Sequence, residues 1–395
     1  MSDWKSKTGD ARILHGSCLE RLRDLPEGSV QCCVTSPPYW GLRDYGHSNQ
    51  LGLEPTPEAY VAKMVAVFRE VRRVLREDGV LWLNLGDSYF GGGYSNHDIN
   101  GESWKDRMNG DKRSSRQQDI KRSNPGIKPK DLVGIPWRVA FALQSDGWWL
   151  RQDIIWHKPN PMPESVTDRC TKSHEYIFLL TKSARYYYDS EAVKEAGTLQ
   201  ECGNTSPTKA AKTGSERHRT AANLHKIGAA ATRNRRSVWT VSTKPYSGAH
   251  FATYPPDLIE PCILAGTSEH GRCRACGAPW ERVMEKTQEP DDSAKGSKFD
   301  KGKTALREGG DRTQPGGRFR SKLIGWQPTC QCNAGEPIPC VVLDPFNGSG
   351  TTGEVCIKHG RHYIGCELNQ EYIDLAKQRL GKAEHRYGLP LLETV

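Results

Sequence analysis

Residues 344–352, with the sequence DPFNGSGTT, decide the fold because they form a glycine-rich turn between two regular elements. The apolar run at 340–344 predicts a buried strand before the turn, and residues 352–359 predict a helix after it. Glycine lets a backbone approach a ligand closely, and the first turn of a helix offers free N–H groups. This order of elements is typical of a nucleoside site in an α/β protein.

A second strand and helix follow this turn. Residues 363–367 predict a strand that ends at Glu367, which lies 23 residues after Asp344, and residues 371–380 predict a helix ended by Gly381. Nucleoside-binding folds place a carboxylate at this position, where it accepts hydrogen bonds from the ribose hydroxyls. No Gly-Lys-Ser/Thr sequence follows the glycines, which argues against a phosphate cradle for ATP. The C-terminal region therefore predicts a nucleoside cofactor site.

A second motif, TSPPYW at 35–40, follows a short buried strand predicted at 30–34. The Ser36 hydroxyl and the Pro37 carbonyl can accept hydrogen bonds from both hydrogens of an exocyclic amine. Pro37 and Pro38 restrict the backbone and so preorganise these acceptors, while Tyr39 offers a ring face on which a flipped base can stack. The motif predicts chemistry at an amino group.

Strands and helices alternate along the rest of the chain. Thr56 and Pro57 open a helix with an apolar residue at every third or fourth position up to Leu75, and Asp78-Gly79 is expected to end it. Further strands are predicted at 80–85, 154–156 and 176–180, and a further helix at 135–143. This alternation predicts a doubly wound α/β sheet.

The two motifs together resemble those of the β group of DNA amino-methyltransferases, in which the catalytic motif precedes the S-adenosylmethionine motif. The resemblance implies a Rossmann-like methyltransferase sheet in permuted order, double-stranded DNA as partner, a homodimer as one expected assembly and a cognate restriction endonuclease. It implies catalysis by Ser36, Pro37, Pro38 and Tyr39. It implies cofactor binding by Asp344, Pro345, Phe346, Gly348, Gly350, Thr351 and Glu367, and by His250, Phe251 and Thr253 of the segment HFATYP.

The first residue of the catalytic motif separates subfamilies. Family members with Ser-Pro-Pro-Tyr mostly methylate cytosine N4, so Ser36 predicts this target in duplex DNA, reached by base flipping and direct methyl transfer. Adenine N6, an RNA base or a protein glutamine are alternative substrates, and a non-catalytic zinc-containing DNA-binding protein is an alternative class. Cytosine C5 methylation would need a nucleophilic cysteine, but Cys262 and Cys340 are predicted to be packing residues.

Three polar stretches, 91–130, 194–237 and 281–323, interrupt this pattern and show no helix or strand periodicity. Together they carry a formal charge of +13, against +9 for the whole chain. Positive charge concentrated in this way favours a phosphate-backbone ligand. In the family the target-recognition region lies near 190–240, where Arg233, Arg235 and Arg236 are the predicted DNA contacts.

Four cysteines predict a structural zinc site. Cys273 and Cys276 form a Cys-x-x-Cys-Gly knuckle, and Cys330 and Cys332 follow after a gap of 53 residues. The predicted organisation is a catalytic half at 1–190 with a flexible insertion at 91–130, a target-recognition region at 191–240, a cofactor half at 241–270 and 336–395, and a zinc-knuckle insertion at 271–335.

Composition limits the classes of protein to which the chain can belong. No apolar run is long enough to cross a membrane, and the first residues lack the basic and apolar pattern of a signal peptide. The 13 cysteines are scattered and odd in number, as expected for free thiols in a reducing compartment. We therefore expect a cytoplasmic protein without disulfides.

Overall fold

The computed structural model describes residues 3–42, 50–90, 126–196, 232–243, 254–289 and 318–387. Its strands are β1 (Trp4–Lys5), β2 (Ala11–His15), β3 (Val30–Thr35), β4 (Leu75–Leu85), β5 (Trp149–His157), β6 (His174–Thr181), β7 (Glu195–Ala196), β8 (Thr232–Arg233), β9 (Val238–Thr240), β10 (Trp280–Glu289), β11 (Arg318–Pro328), β12 (Val341–Asp344) and β13 (His362–Glu367). Its helices are α1 (Cys18–Arg23), α2 (Pro57–Val74), α3 (Ile135–Ser145), α4 (Pro256–Gly266), α5 (Thr351–Lys358) and α6 (Gln370–Tyr387).

Nine strands form one sheet in the order β1-β2-β13-β12-β3-β4-β6-β5-β9. Strands β2, β13, β12, β3 and β4 are parallel, whereas β6 runs antiparallel to both β4 and β5. The C-terminal strands β12 and β13 lie between β2 and β3 from the N-terminal region, so both predicted halves build the same sheet. The predicted α/β sheet with the catalytic motif first along the chain is confirmed.

Helices cover the sheet on both faces, as a doubly wound arrangement requires. On one face, α2 buries the predicted stripe that includes Tyr60, Met64 and Phe68. The opposite face packs against α4 and α6, which bury Leu258 and Leu380 among others. Among the described residues, none of the helices has the length and apolar character needed to cross a membrane.

Two predicted helix ends are wrong. α2 ends at Val74 rather than at Asp78-Gly79, because Leu75 already pairs with Val30 at the start of β4. α6 continues through Gly381 to Tyr387, because Leu380 and Ala383 on either side of the glycine pack into the core. Burial of these side chains outweighs the roughly 1 kcal/mol by which glycine disfavours a helix.

The polar stretches, which show no strand periodicity in the sequence, nevertheless contain strands where they are described. β10 and β11 pair in antiparallel register from Trp280–Pro328 to Glu289–Arg318, and the two-residue strands β7 and β8 pair with each other. Side-chain periodicity could not indicate β10 and β11, because this hairpin stands apart from the main sheet and its stability comes from cross-strand pairing. At its base, His270 stacks on Trp326 at 5.4 Å between ring centroids.

Candidate active site and metal centre

The catalytic and cofactor motifs meet at one edge of the sheet. β3 and β12 are parallel neighbours, so the turns that follow Thr35 and Asp344 leave the sheet side by side. The Thr35 hydroxyl donates a hydrogen bond to Asp344 Oδ1 at 2.6 Å, which joins the two strand ends directly. Ligands of doubly wound folds bind at this carboxyl edge of the parallel strands.

Asp344 is completely buried and holds four donors. Besides Thr35, the Phe346 N–H donates to Oδ1 at 3.0 Å, and the hydroxyls of Thr352 and Tyr254 donate to Oδ2 at 2.7 and 3.0 Å. Burial raises the pKa of this carboxyl, and the hydrogen bonds oppose that effect. The structure therefore places the side chain of Asp344 beneath the cofactor loop, where it braces β3, β12, α5 and the segment before α4.

The glycine-rich loop has the backbone geometry that its composition predicts. Gly348 and Gly350 have φ angles of +51° and +80°, a left-handed region that favours glycine. A Cβ atom on Gly350 would also lie 3.0 Å from the Cβ of Ala376. Pro345 is buried below the loop, Phe346 packs partly against the core, and the Thr351 hydroxyl accepts a hydrogen bond from Arg379 at 2.7 Å.

Glu367 lies at the end of β13 and reaches across to the glycine loop. Its Oε2 accepts the Gly348 N–H at 2.7 Å, and its Oε1 accepts the Asn369 N–H at 2.9 Å. Burial raises the pKa of Glu367 to about 7, although these backbone hydrogen bonds oppose the shift. The Leu368 N–H also acts on this carboxylate. A carboxylate has about four acceptor positions, so these backbone groups occupy most of them.

The side chains of the catalytic motif form a hydrogen-bonded group. The Ser36 hydroxyl lies 3.4 Å from the Tyr39 hydroxyl, to which it donates. The Tyr39 hydroxyl in turn donates to Glu175 Oε2 at 2.7 Å and lies 3.1 Å from Asn84 Oδ1. Pro37 is buried, and the carbonyl of Pro38 accepts a hydrogen bond from the Tyr60 hydroxyl at 2.9 Å.

Sequence reasoning missed the partners of Tyr39. Asn84 lies near the end of β4, and Lys158, which forms an ion pair with Glu175, follows β5. Both lie at or just after the ends of strands predicted at 80–85 and 154–156, which was a usable signal for Asn84 and Lys158. Nothing in the local sequence singles out Glu175, because only the pairing of β6 with β4 and β5 brings it to this edge.

The three arginines predicted to contact DNA lie near the outer edge of the sheet, and two of them share one partner. The Nε atoms of Arg233 and Arg236 both donate to Glu195 Oε1 at 2.8 Å. Arg235 instead stacks on Trp239, with its guanidinium carbon 4.6 Å from the ring centroid. The structure thus brings Arg233 and Arg236 together and turns Arg235 towards an aromatic ring.

The structure does not describe the predicted contacts for the methionine end of the cofactor. His250, Phe251 and Thr253 lie outside the described residues.

Cys262 and Cys340 are buried, and burial raises the pKa of both thiols, to about 11 for Cys340. A protonated thiol is a poor nucleophile, so the packing role predicted for these two cysteines fits the structure.

The four predicted metal ligands form one cluster. The Sγ atoms of Cys273, Cys276, Cys330 and Cys332 all lie within 4.8 Å of one another. The Cys273 turn is a knuckle, because the Gly277 N–H donates to the Cys273 carbonyl at 2.9 Å and Gly277 has a φ of +72°. Four sulfurs at this spacing can collapse onto a tetrahedral zinc ion with bonds of about 2.3 Å.

The protonation pattern of the cluster also fits a divalent cation. Backbone N–H groups of Cys276 and Ala275 lower the pKa of Cys273 to about 6, whereas the neighbouring Cys276 and Cys330 raise the pKa of Cys332 to about 12. Crowded thiols cannot all ionise together without a positive charge between them. A zinc ion would supply that charge and hold all four as thiolates.

The cluster lies at the opposite edge of the sheet from the active site. Arg76, near the start of β4, donates to the Cys276 carbonyl, and Arg272 exchanges backbone hydrogen bonds with Ile338, just before β12. The catalytic loops leave the other ends of the same strands. A six-residue strand such as β3 spans about 20 Å, so a metal here would stabilise the fold without contacting the reacting groups.

We expect the Cys273→Ser variant to lose its metal and to unfold at a lower temperature. Serine is a much poorer zinc ligand than a thiolate, and binding of a structural zinc contributes directly to folding. Metal analysis of purified protein checks the result: about one zinc per chain is expected in the parent and almost none in the variant. Cys170→Ser is the matched control, since Cys170 is exposed and outside the cluster. An unchanged zinc content in Cys273→Ser would contradict the assignment.

Comparison with known proteins identifies the family. The DNA methylase family N6_N4_Mtase matches residues 30–273 and 340–378. The chain is 40% identical to the Type II methyltransferase M.Cfr9I of Citrobacter freundii, over 94% of this chain and 87% of that protein. It is 38% identical to M.SmaI of Serratia marcescens, over 95% of this chain and 92% of that protein.

The fold is shared with one solved structure, and a second is similar over most of its length. PvuII DNA methyltransferase, a cytosine-N4-specific enzyme, matches with a TM-score of 0.51 and 16% identity, over 97% of this chain and 93% of that one. TTHA0409 of Thermus thermophilus, complexed with S-adenosyl-L-methionine, matches with a TM-score of 0.45 and 19% identity, over 94% and 95% of the two chains. From the family match and the Type II relatives together, this chain is a member of the N6_N4_Mtase family of DNA methylases.

Proposed function

We propose that this DNA methylase transfers a methyl group from S-adenosylmethionine to the N4 amine of cytosine in duplex DNA. The identity of residue 36 supports cytosine as the target. Ser36 is a neutral hydroxyl at the position where adenine-N6 enzymes of the family usually carry Asp or Asn. Ser36 directly follows β3, whose end adjoins the end of β12, and this position supports a role beside the glycine-rich loop.

The target amine needs orientation more than a strong base. Hydrogen bonds from the two amine hydrogens to Ser36 Oγ and the Pro37 carbonyl would turn the nitrogen lone pair towards the methyl group. When bound, S-adenosylmethionine supplies an electrophilic methyl group on a sulfonium. Direct transfer leaves a positively charged nitrogen, which is acidic enough to lose its proton to a weak acceptor. A serine can therefore serve where no carboxylate touches the amine.

The cofactor would lie across the glycine loop. In this proposal residues 344–351, which include Gly348, Gly350 and Thr351, form the surface that holds it, and Glu367 accepts hydrogen bonds from the ribose hydroxyls. The place of Glu367 at the end of β13, bonded to the Gly348 N–H of the glycine-rich loop, supports that role. His250, Phe251 and Thr253 remain predicted contacts for the methionine end.

We expect cofactor affinity to weaken as the pH falls from 8 to 6. Only the ionised form of Glu367 can accept from both ribose hydroxyls, and its pKa of about 7 means that acidification removes that form. Below this pKa the dissociation constant should rise by up to about tenfold per pH unit. Calorimetric titration with S-adenosylmethionine at several pH values measures this dissociation constant. Glu367→Gln should bind weakly at every pH with a flat profile, and a parent-like slope in this variant would remove Glu367 from the ribose site.

The product identifies the substrate. We would incubate the protein with methyl-deuterated S-adenosylmethionine and unmodified DNA, digest to nucleosides and analyse them by mass spectrometry. Deuterated N4-methylcytosine is the expected product. N6-methyladenine would preserve the DNA methylase assignment and overturn the argument from Ser36. Cofactor binding without either nucleoside would bring the RNA and protein-glutamine alternatives forward.

The DNA contacts and partners belong to the same proposal. Arg233, Arg235 and Arg236 would meet the phosphate backbone, with Arg233 and Arg236 exchanging Glu195 for phosphate. The Type II names of the relatives support a cognate restriction endonuclease. A homodimer stays a prediction that sedimentation of the purified protein would check.

A further inference from the structure

A chain of hydrogen bonds leads from Ser36 into the protein. Ser36 donates to the Tyr39 hydroxyl, and Tyr39 donates to Glu175, so every hydrogen bond in the line points the same way. The line ends on a carboxylate, the only member that can keep an added proton. The first step, at 3.4 Å, is long, as catalytic hydrogen bonds often are before substrate binds. The second, at 2.7 Å, is a short charge-assisted bond.

The carboxylate at the end is held in a partly buried ion pair. Lys158 Nζ pairs with Glu175 Oε1, and the two side chains are only 18% and 17% exposed. Lys158 also lies 4.2 Å above the ring of Trp156. The Asn84 amide donates to the Tyr176 carbonyl at 3.0 Å, which leaves its oxygen facing Tyr39. Asn84 Nδ2 also lies 3.4 Å from Glu175 Oε2. The Tyr39 hydroxyl is 2.7 Å from Glu175 Oε2 and 3.1 Å from Asn84 Oδ1, so the shorter bond makes Glu175 its main acceptor.

We propose that Ser36, Tyr39 and Glu175 form a proton relay that carries the proton of the methylated amine to the Glu175 carboxylate. This inference rests on the proposed function and adds the route of the proton. The amine nitrogen bonds to the methyl carbon as the methyl–sulfur bond breaks, which leaves the nitrogen positively charged. One of its N–H bonds then breaks and the proton passes to Ser36 Oγ. The proton of Ser36 moves to the Tyr39 oxygen, and the proton of Tyr39 moves to Glu175 Oε2. Both hydroxyls are regenerated, and Glu175 later releases the proton to water.

The relay explains how a serine can replace a carboxylate beside the amine. An alcohol is a weak base unless it can hand on its own proton as it accepts another. Burial and the charge of Glu175 raise the pKa of Tyr39 well above its usual value, so the tyrosine keeps its proton and remains a donor at neutral pH. The negative charge thus stays one tyrosine away from the base pocket, where a neutral cytosine ring would be bound.

Several other charged groups surround Glu175. Lys158 and Lys172 face it from the segments after β5 and before β6, and His174 precedes it on β6. Burial lowers the pKa of both Lys172 and His174. Asp87 and Glu164 act on Lys172 in turn. The variants are therefore compared with the parent at one fixed pH.

Two conservative substitutions break the relay while keeping its shape. Glu175→Gln retains an oxygen that can accept from Tyr39 but cannot take up a proton, and Tyr39→Phe retains the ring. We expect single-turnover methylation to fall about 100-fold in each, with no further loss in the double variant, because both changes break one route. Glu164→Gln, a nearby carboxylate paired with Arg169, is the matched control and should stay within about twofold of the parent.

A solvent isotope effect separates a relay from a merely structural contact. At saturating cofactor, single-turnover methylation by the parent should be slower in D2O than in H2O, because several exchangeable protons of the relay move. Glu175→Gln should reduce this isotope effect. Parent-like rates in Glu175→Gln, or an unchanged isotope effect, would overturn the relay. Nucleoside analysis of the parent reaction runs alongside: if the parent forms no methylated base, the proposed function itself fails, whereas normal product with parent-like variants refutes the relay alone.

Discussion

Replacing Asp344 with alanine is expected to lower the free energy of unfolding by about 2–4 kcal/mol and to abolish cofactor binding, since each buried polar group left without a partner costs about 1–3 kcal/mol. The change orphans the Thr35 hydroxyl and the Phe346 N–H, which otherwise share Oδ1. Tyr254 and Thr352 can still bond to each other across 2.5 Å, which limits the loss. The brace between the catalytic and cofactor turns would nevertheless be gone.

Urea denaturation and calorimetric titration with S-adenosylmethionine check this expectation. Asp374→Ala is the matched control, because Asp374 is an exposed carboxylate paired with Lys377 on α6, and such pairs contribute little. Its stability and cofactor affinity should remain close to those of the parent. If Asp344→Ala matched this control in both measurements, the central position that we give to Asp344 would be wrong.

Short runs of apolar residues in the sequence made most of the sheet predictable. β3, β12 and β13 are short apolar runs bounded by turn residues, and their order with the helices indicates a parallel arrangement before any contact is known. The ends of α2 and α6 were not predictable in the same way. Whether Leu75 continues a helix or starts a strand depends on its pairing with Val30, which lies 45 residues earlier in the chain.

The candidate site, like the sheet, was predictable from the sequence only in part. Ser36 and Glu367 could be located from motifs because local turn chemistry places them at strand ends. The partners of the Tyr39 hydroxyl could not, because Glu175 lies 136 residues away and reaches the site only through the antiparallel register of β6. The ring of Tyr39 was predicted as a stacking surface, whereas its hydroxyl takes part in a network that no local pattern encodes.

Gly86, the residue after β4, limits where the ring of Tyr39 can lie. A Cβ atom at this position would come within 2.5 Å of Tyr39 Cε2 and 3.2 Å of Cζ, closer than real atoms approach. The ring would have to move, and the hydroxyl that bonds to Glu175 would move with it. A displacement of about 1 Å in a catalytic group can reduce the rate by about 100-fold.

We therefore expect Gly86→Ala to lower kcat by about 100-fold while changing cofactor affinity by less than about twofold. The atoms nearest to the added Cβ all belong to Tyr39, and the glycine-rich loop follows β12, which β3 separates from β4. Gly266→Ala is the matched control for overpacking. Its Cβ would meet Cys32 Sγ at 2.6 Å and Val80 Cγ2 at 2.8 Å, in the core on the face that α4 covers. Both variants should lose stability, by about 1–3 kcal/mol.

Only Gly86→Ala should lose turnover per folded molecule, and single-turnover kinetics on protein shown to be folded by circular dichroism separates the two effects. A parent-like kcat in Gly86→Ala would mean that the position of the Tyr39 ring is not critical. An equal loss in Gly266→Ala would attribute the effect to general core strain. A selective loss supports the view that catalysis depends on where β4 and β6 hold the tyrosine, and thus on the part of the site that lies outside the two sequence motifs.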